Sequence, residues 1–288
     1  MNTRLSPSLI LVFALLIFSL TTTAFAAELE TELIKIPTHV NNNLYFLDAK
    51  IYKPQGDGPF PLIILTHGTP RLAADRLNTD PNTYYKNQCE YFANLGYAVT
   101  FVVRRGFGSS PAPYAENPLF PDKTRHYYKA GLEASHDLQS AIDYMKEQSY
   151  INKQHIILMG QSSGGFSVIA TGAQGVPGVV GIVSFAGGRG SYAPDLVQDE
   201  PNLIAAMAQY GKTSKLPTLW LYAPNDHYMG PRIAHAMFAA YTTNGGKAKF
   251  IDLPAFGDDG HRSFVGNRQA WAPYVLEFLT ELKAVAQN

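Results

Sequence analysis

Ile156-Ile157-Leu158-Met159-Gly160-Gln161-Ser162-Ser163-Gly164-Gly165 is the stretch from which the rest can be ordered. A run of four apolar residues ends in a Gly-x-Ser-x-Gly turn, and the small-residue helical pattern Phe166-Ser167-Val168-Ile169-Ala170 follows. A buried strand that turns sharply into a helix holds its central residue, Ser162, in a strained conformation and pushes its hydroxyl off the carboxyl edge of a sheet. Gly160 and Gly164 leave the strand and helix room to approach, which a side chain would block. The helix start behind Ser162 points free N–H groups at whatever the serine meets. The plain alternative is a Gly/Ser-rich strand-to-helix turn with no chemistry, so the pattern needs partners elsewhere in the chain.

Outward from this turn the chain alternates. Glu28 to Pro37 and Leu44 to Lys53 read as opening strands, with a turn at Gln55-Gly56-Asp57-Gly58-Pro59. Pro61 to Thr66 is apolar on both faces, as in a central strand. Arg71 to Thr83 reads as a polar loop, and Tyr84 to Leu95 as a helix stopped by Gly96. Strands are expected at Tyr97 to Val103, Gln154 to Met159, Val179 to Phe185, Pro217 to Tyr222 and Ala248 to Leu253. Helices are expected at Tyr127 to Gln148, Phe166 to Ala173, Leu203 to Tyr210, Pro231 to Tyr241 and Asn267 to Ala286. This is an α/β pattern: a mostly parallel central sheet, helices on both faces, antiparallel strands at the N-terminal side. Residues 187–216 are the one candidate for a cap, and a minimal one.

The first 26 residues have another logic. Arg4 supplies positive charge, Leu9 to Leu20 is apolar apart from Ser19, and Ala24-Phe25-Ala26 is a small-residue cleavage site. That layout predicts a secretory signal at 1–26, a single domain at 27–288, and a periplasmic or secreted protein with no stable membrane insertion after cleavage. The chain carries 23 Lys+Arg and 23 Asp+Glu. Such a balance calls for neither nucleic acid nor an anionic membrane as partner. The single Cys89 cannot form an intrachain disulfide and reads as a packed thiol.

A serine hydroxyl is a weak nucleophile at neutral pH; it needs a base, and the base needs a group to hold its tautomer. Of the eight histidines, His261 sits in a Gly/Asp loop after the last strand and is placed to reach Ser162. Asp226 follows the strand between the serine strand and that loop, and is the expected orienting acid. Asp258 and Asp259 are rivals only by closeness in sequence. Charge that grows on a carbonyl oxygen under attack needs two N–H donors, and the backbone amides of Ser163 and Thr69 are the candidates. His67, beside Thr69, has a competing reading as second base or metal ligand, although no carboxylate–His pair at ligand spacing accompanies it. Arg71 and Arg189 follow strand ends and would suit an anionic substrate group, unless each pairs with a nearby carboxylate. Tyr114, Tyr192, Tyr228 and Phe264 fall in loops on the same edge and are candidates to line a pocket.

Taken together, His67-Gly68-Thr69, Arg105-Gly106-Phe107-Gly108-Ser109, Gly160-Gln161-Ser162-Ser163-Gly164, Leu221-Tyr222-Ala223-Pro224-Asn225-Asp226 and Gly260-His261 resemble an exported α/β-hydrolase, similar to the dienelactone hydrolase and prolyl-oligopeptidase-like branches. The resemblance runs from Pro61 to the C-terminus. It implies a serine hydrolase acting on a small-molecule ester or short peptide, without metal or organic cofactor. Carboxylic ester cleavage through an acyl-enzyme on Ser162 is the leading expectation. Peptidase or amidase action uses the same triad, acyl transfer differs only in the second nucleophile, and a non-catalytic secreted binding protein is the reading from another class. Dienelactone hydrolases use cysteine where this chain has Ser162. The aspartate that often precedes the Arg105-Gly106-Phe107 turn is absent, and Arg104 stands nearest.

Overall fold

The computed structural model describes residues 28–110, 112–117 and 125–286. The signal reading of 1–26 lies outside them. Two long strands, β1 (Glu30–Val40) and β2 (Asn43–Lys53), form a hairpin through the tight turn at Asn41 and Asn42, both with positive φ. Then follow β3 (Phe60–Thr66), α1 (Lys86–Asn94), β4 (Ala98–Val102), α2 (Tyr127–Lys146), β5 (Ile151–Gln161), α3 (Ser163–Gly172) and β6 (Val179–Phe185). A short hairpin, β7 (Ser191–Ala193) with β8 (Leu196–Val197), leads to α4 (Glu200–Thr213). The chain closes with β9 (Pro217–Tyr222), α5 (Pro231–Thr243), β10 (Lys247–Asp252), α6 (Ser263–Gly266) and α7 (Arg268–Ala286).

The eight-stranded sheet has the order β1-β2-β4-β3-β5-β6-β9-β10. From β4 to β10 every pairing is parallel; β2 alone runs against both neighbours. The order reverses at β3, which lies between β4 and β5 although it precedes both in the chain. Ligands on such sheets bind where the strand order reverses, beyond the carboxyl ends.

Side-chain alternation sorts the core into two layers. Leu62 and Ile64 of β3, with Ile156 and Leu158 of β5, pack against α2, α3, α4 and α5. Ile63, Leu65, Ile157 and Met159 face α1 and α7, around Phe92 and Trp271. All eight of these strand residues are fully buried, and each such side chain contributes about 1.5–3 kcal/mol. A sheet covered on both faces must read as continuous apolar runs, and these strands do.

Local differences from the sequence expectation have local causes. Tyr85 adopts a left-handed conformation (φ 54°), so α1 begins at Lys86. The loop expected over Arg71–Thr83 contains a 3₁₀ turn at Ala73–Asn78. The short helix expected at Leu203–Tyr210 extends over Glu200–Thr213 because it packs on the helical layer: Tyr210 stacks on Tyr128 and meets Phe166 edge-on. Within 187–216 it is therefore Gly188 to Ser191 that border the serine. Among the described residues no helix is long and apolar enough to cross a membrane.

Candidate active site

Ser162 sits between β5 and α3 with φ 57° and ψ −125°, a region that costs on the order of 1–3 kcal/mol unless its surroundings impose it. They do. Its N–H donates to the Phe185 carbonyl of β6 at 2.8 Å, and its carbonyl accepts from Gly188 at 3.1 Å and Phe166 at 3.0 Å. A Cβ on Gly160 would stand 2.4 Å from the Gly164 carbonyl carbon, and one on Gly164 would stand 2.5 Å from the His67 carbonyl oxygen. Both glycines are thus required by backbone-to-backbone approach. Among the described residues nothing hydrogen-bonds the Ser162 side chain, and Ser162 and His261 line one cleft of about 500 Å³.

His261 is held from several sides. Its Nδ1 lies 2.9 Å from Asp226 Oδ2 and 3.1 Å from Oδ1. Burial works to raise the Asp226 pKa. The His261 ring and the amides of Met229 and Tyr228, which donate to Oδ1 at 2.8 and 2.7 Å, outweigh burial and hold it below the ordinary value. An ionised Asp226 fixes Nδ1–H on the ring and leaves Nε2 free to accept a proton. Asp259 does not compete. Its Oδ1 accepts from the backbone N–H of His227 at 3.1 Å and of His261 at 3.0 Å, so it shapes the loop. Tyr228 stacks on the His261 ring, with centroids 4.1 Å apart and planes 15° apart.

The backbone N–H groups of Thr69 and Ser163 have no acceptor among the described residues. Gly68 brings the loop after β3 against the serine: a Cβ there would lie 3.0 Å from Ser162 Cβ. The Thr69 and Ser163 hydroxyls are 2.6 Å apart, which ties loop and elbow together. The two donors therefore come from segments that the fold holds in a shared register.

Behind them lies a charge cluster that the sequence does not announce. Arg104, Glu116 and Arg189 are all buried. Arg104 donates to the His67 carbonyl at 2.6 Å, to Thr66 Oγ1 at 2.7 Å and to Ser163 Oγ at 3.2 Å, and pairs with Glu116. Arg189 pairs with the same carboxylate at 2.7 Å. Burial would raise the Glu116 pKa, but Arg104 and Arg189 bring it to about 2. Arg189 is thus engaged internally, as in the alternative in which it pairs with a carboxylate, and does not offer a free guanidinium to substrate. His67 is likewise committed. Its Nε2 accepts from the Arg104 N–H at 3.1 Å, so Nδ1 carries the proton and meets the Gly68 carbonyl at 2.8 Å. Burial, reinforced by Arg104, pushes its pKa well below the usual histidine value. It is a neutral structural ring, not a second base.

Other expectations divide in the same way. Arg71 is half-buried, packs its guanidinium 3.6 Å from the Tyr228 ring centroid and donates to Ser191 Oγ and the His227 carbonyl. Tyr192 is 58 % exposed on the small hairpin and lines no cavity described at the serine. Phe264 is core, against Tyr85, Phe185 and Trp271. Cys89 is buried, and burial together with the Glu90 charge raises its pKa, so it is a packed thiol. Among the described residues no group of three acidic, His or Cys side chains could hold a metal.

Two residues with positional roles carry no signal by type. Gln161 accepts from the Tyr85 hydroxyl and donates to the His261 carbonyl. Asn225 donates to the Gly257 carbonyl at 3.0 Å and accepts from the Phe256 N–H at 3.1 Å, and its own carbonyl accepts from Gly260 at 2.9 Å. Their places, beside Ser162 and Asp226, were the available hint.

A serine at a strained strand-to-helix turn, with an aspartate and a histidine after later strands of one sheet, settles the architecture. The fold is that of an α/β-hydrolase. Residues 79–198 match the model of the family described as serine aminopeptidase, S33, a span that includes Ser162 and stops short of Asp226 and His261. The chain is similar to acylaminoacyl peptidase from Pyrococcus horikoshii at 19 % identity and TM-score 0.65, covering 88 % of this chain and 41 % of that one. It is similar to a Klebsiella pneumoniae protein described as a dienelactone hydrolase at 13 % identity and TM-score 0.60, covering 89 % and 99 %. A thermophilic esterase from Thermogutta terrifontis with propionate bound resembles it at 15 % identity and TM-score 0.59, covering 88 % and 94 %. Among curated proteins none matches the chain. The chain spans less than half the length of the peptidase and nearly all of the other two.

Proposed function

We propose that this α/β-hydrolase is a serine hydrolase that cleaves carboxylic esters through an acyl-enzyme on Ser162. The observation that carries this reading is the joint arrangement: Ser162 open to the cleft, His261 oriented by Asp226 in that cleft, and two amides beside the serine with no acceptor among the described residues. Ser162 Oγ attacks the carbonyl carbon while His261 Nε2 takes its proton. The oxyanion receives the Thr69 and Ser163 N–H groups, each contributing on the order of 3 kcal/mol to lowering the barrier. His261 returns the proton to the leaving alkoxide; water, activated by the same base, then releases the acid. No step needs a metal or organic cofactor. Signal cleavage and export belong to this proposal, on the pattern of residues 1–26.

Peptide cleavage by the same groups is the second reading, favoured by the family match over 79–198. Hydrolysis of p-nitrophenyl esters of increasing acyl length, beside aminoacyl-p-nitroanilides, separates the two. Ester turnover that is lost in Ser162→Ala is expected. Anilide turnover with no ester preference would move the assignment to a peptidase. A folded wild type that resists a fluorophosphonate probe at Ser162 would mean a binding protein on this scaffold.

A further inference from the structure

Ser162 opens on two cavities of different character. Beside the cleft of about 500 Å³ lies a smaller one of about 140 Å³, and Ser162, Thr69 and Tyr228 line both. His261 lines only the larger. The group that returns a proton must reach the leaving oxygen. The leaving group therefore belongs in the larger cleft and the acyl group in the smaller one.

The charges of the two cavities differ as well. The larger carries Asp75 and Arg262, one of each sign. The smaller is bordered by Arg71, Arg125 and Arg189 and, among the described residues, by no carboxylate. Arg189 shares Glu116 with Arg104, so the buried cluster behind the serine keeps one positive charge in excess. Neither Arg71 nor Arg125 has a carboxylate within ion-pair distance among the described residues. Arg71 uses Nε and Nη2 on Ser191 and the His227 carbonyl, and its Nη1 has no partner among the described residues. Arg125 borders the cavity, and its Nε, shut off from solvent, has no hydrogen-bond partner among the described residues.

From this we infer that the smaller cavity is an acyl subsite for a short chain ending in a carboxylate, with Arg71 and Arg125 binding that carboxylate. The inference rests on the serine-hydrolase reading for its orientation. A volume of about 140 Å³ suits a short acyl chain. The substrate class is then the half-ester of a short dicarboxylic acid, for which succinate serves as the probe. The Ser162 Oγ–acyl bond forms as the ester C–O bond breaks, the serine proton passes through His261 to the departing alcohol, and one water releases the dicarboxylate.

Two measurements on the full chain test this. The first compares kcat/KM for mono-p-nitrophenyl succinate with that for its neutral methyl ester. A wild-type ratio of about ten or more is expected, falling toward one in Arg125→Gln and in Arg71→Gln. The second is calorimetric binding of monomethyl succinate to Ser162→Ala, which needs no turnover; binding is expected, and its loss on adding Arg125→Gln. A ratio near one with no binding overturns the subsite even if neutral esters are cleaved. Arginine-dependent binding without turnover of any ester keeps the subsite and defeats the hydrolase reading.

Discussion

Ser162 and His261 reach the same cleft by different means. Ser162 is held by backbone: strand β6 pins its N–H, and two glycines allow main chain to meet main chain. His261 stands on a loop held by side chains: Gln161 on its carbonyl, Asn225 on the preceding residues, Asp259 at its N–H and Tyr228 against its ring. The nucleophile side should therefore break when atoms are added to the main chain. The base side should weaken in steps as side chains are removed.

The largest effect is expected where the two halves meet. Asp226→Asn should lower kcat for an ester by about 10⁴, since the wrong ring nitrogen then carries the proton. A loss below tenfold would show that His261 does not depend on Asp226. Gly164→Ala should cost about 10² in kcat/KM, because its Cβ would stand 2.5 Å from the His67 carbonyl and displace the Thr69 loop. Near-wild-type activity there would break the claim that backbone approach places the serine.

Glu116→Ala tests the buried support behind the amides. Removing the carboxylate that Arg104 and Arg189 share should cost about 3–5 kcal/mol in denaturant melts. The sign with pH follows from its lowered pKa of about 2, against an ordinary value of 4.5. The stabilisation is complete above 4.5, and it is lost as pH falls through the window down to about 2. Glu116→Gln should lack this loss in acid titrations of stability. An unchanged acid profile would remove Glu116 from the account.

Smaller losses sharpen the other side. Asn225→Ala should reduce kcat about tenfold as the Phe256–Gly260 segment loosens, with little change in fluorophosphonate labelling per folded molecule at saturating probe. Tyr228→Leu should cost about two- to tenfold, the worth of one ring stack. If Tyr228→Leu proved the more damaging of the two, stacking rather than loop bonding would set the base.

Much of this was readable beforehand, for identifiable reasons. Strand β6 (Val179–Phe185) and strand β9 (Pro217–Tyr222) have the bounds expected from sequence, because burial on both faces favours runs of mostly apolar side chains. Ser162, Asp226 and His261 were nominated from chain order and from strand ends, and the structure brings them into one cleft region. Sequence leaves open whether Arg189 meets a substrate or a carboxylate, because its partner, Glu116, lies 73 residues away in a loop with no pattern of its own. Tyr192 and Phe264 were misjudged because an aromatic in a loop has no period to say whether it faces core, cleft or water.

By itself, the sequence determined which segments are buried strands, where the chain must turn sharply, and that Ser162, Asp226 and His261 stand at strand ends. These are local consequences of side-chain period and of glycine at close backbone approach. Only the tertiary structure decided which charges neutralise each other. Arg104, Glu116 and Arg189 come together through loops from three parts of the chain, and Arg71 meets Tyr228 at the small cavity beside the serine. Ion pairing and stacking between loops depend on separation in space, and chain position does not encode that.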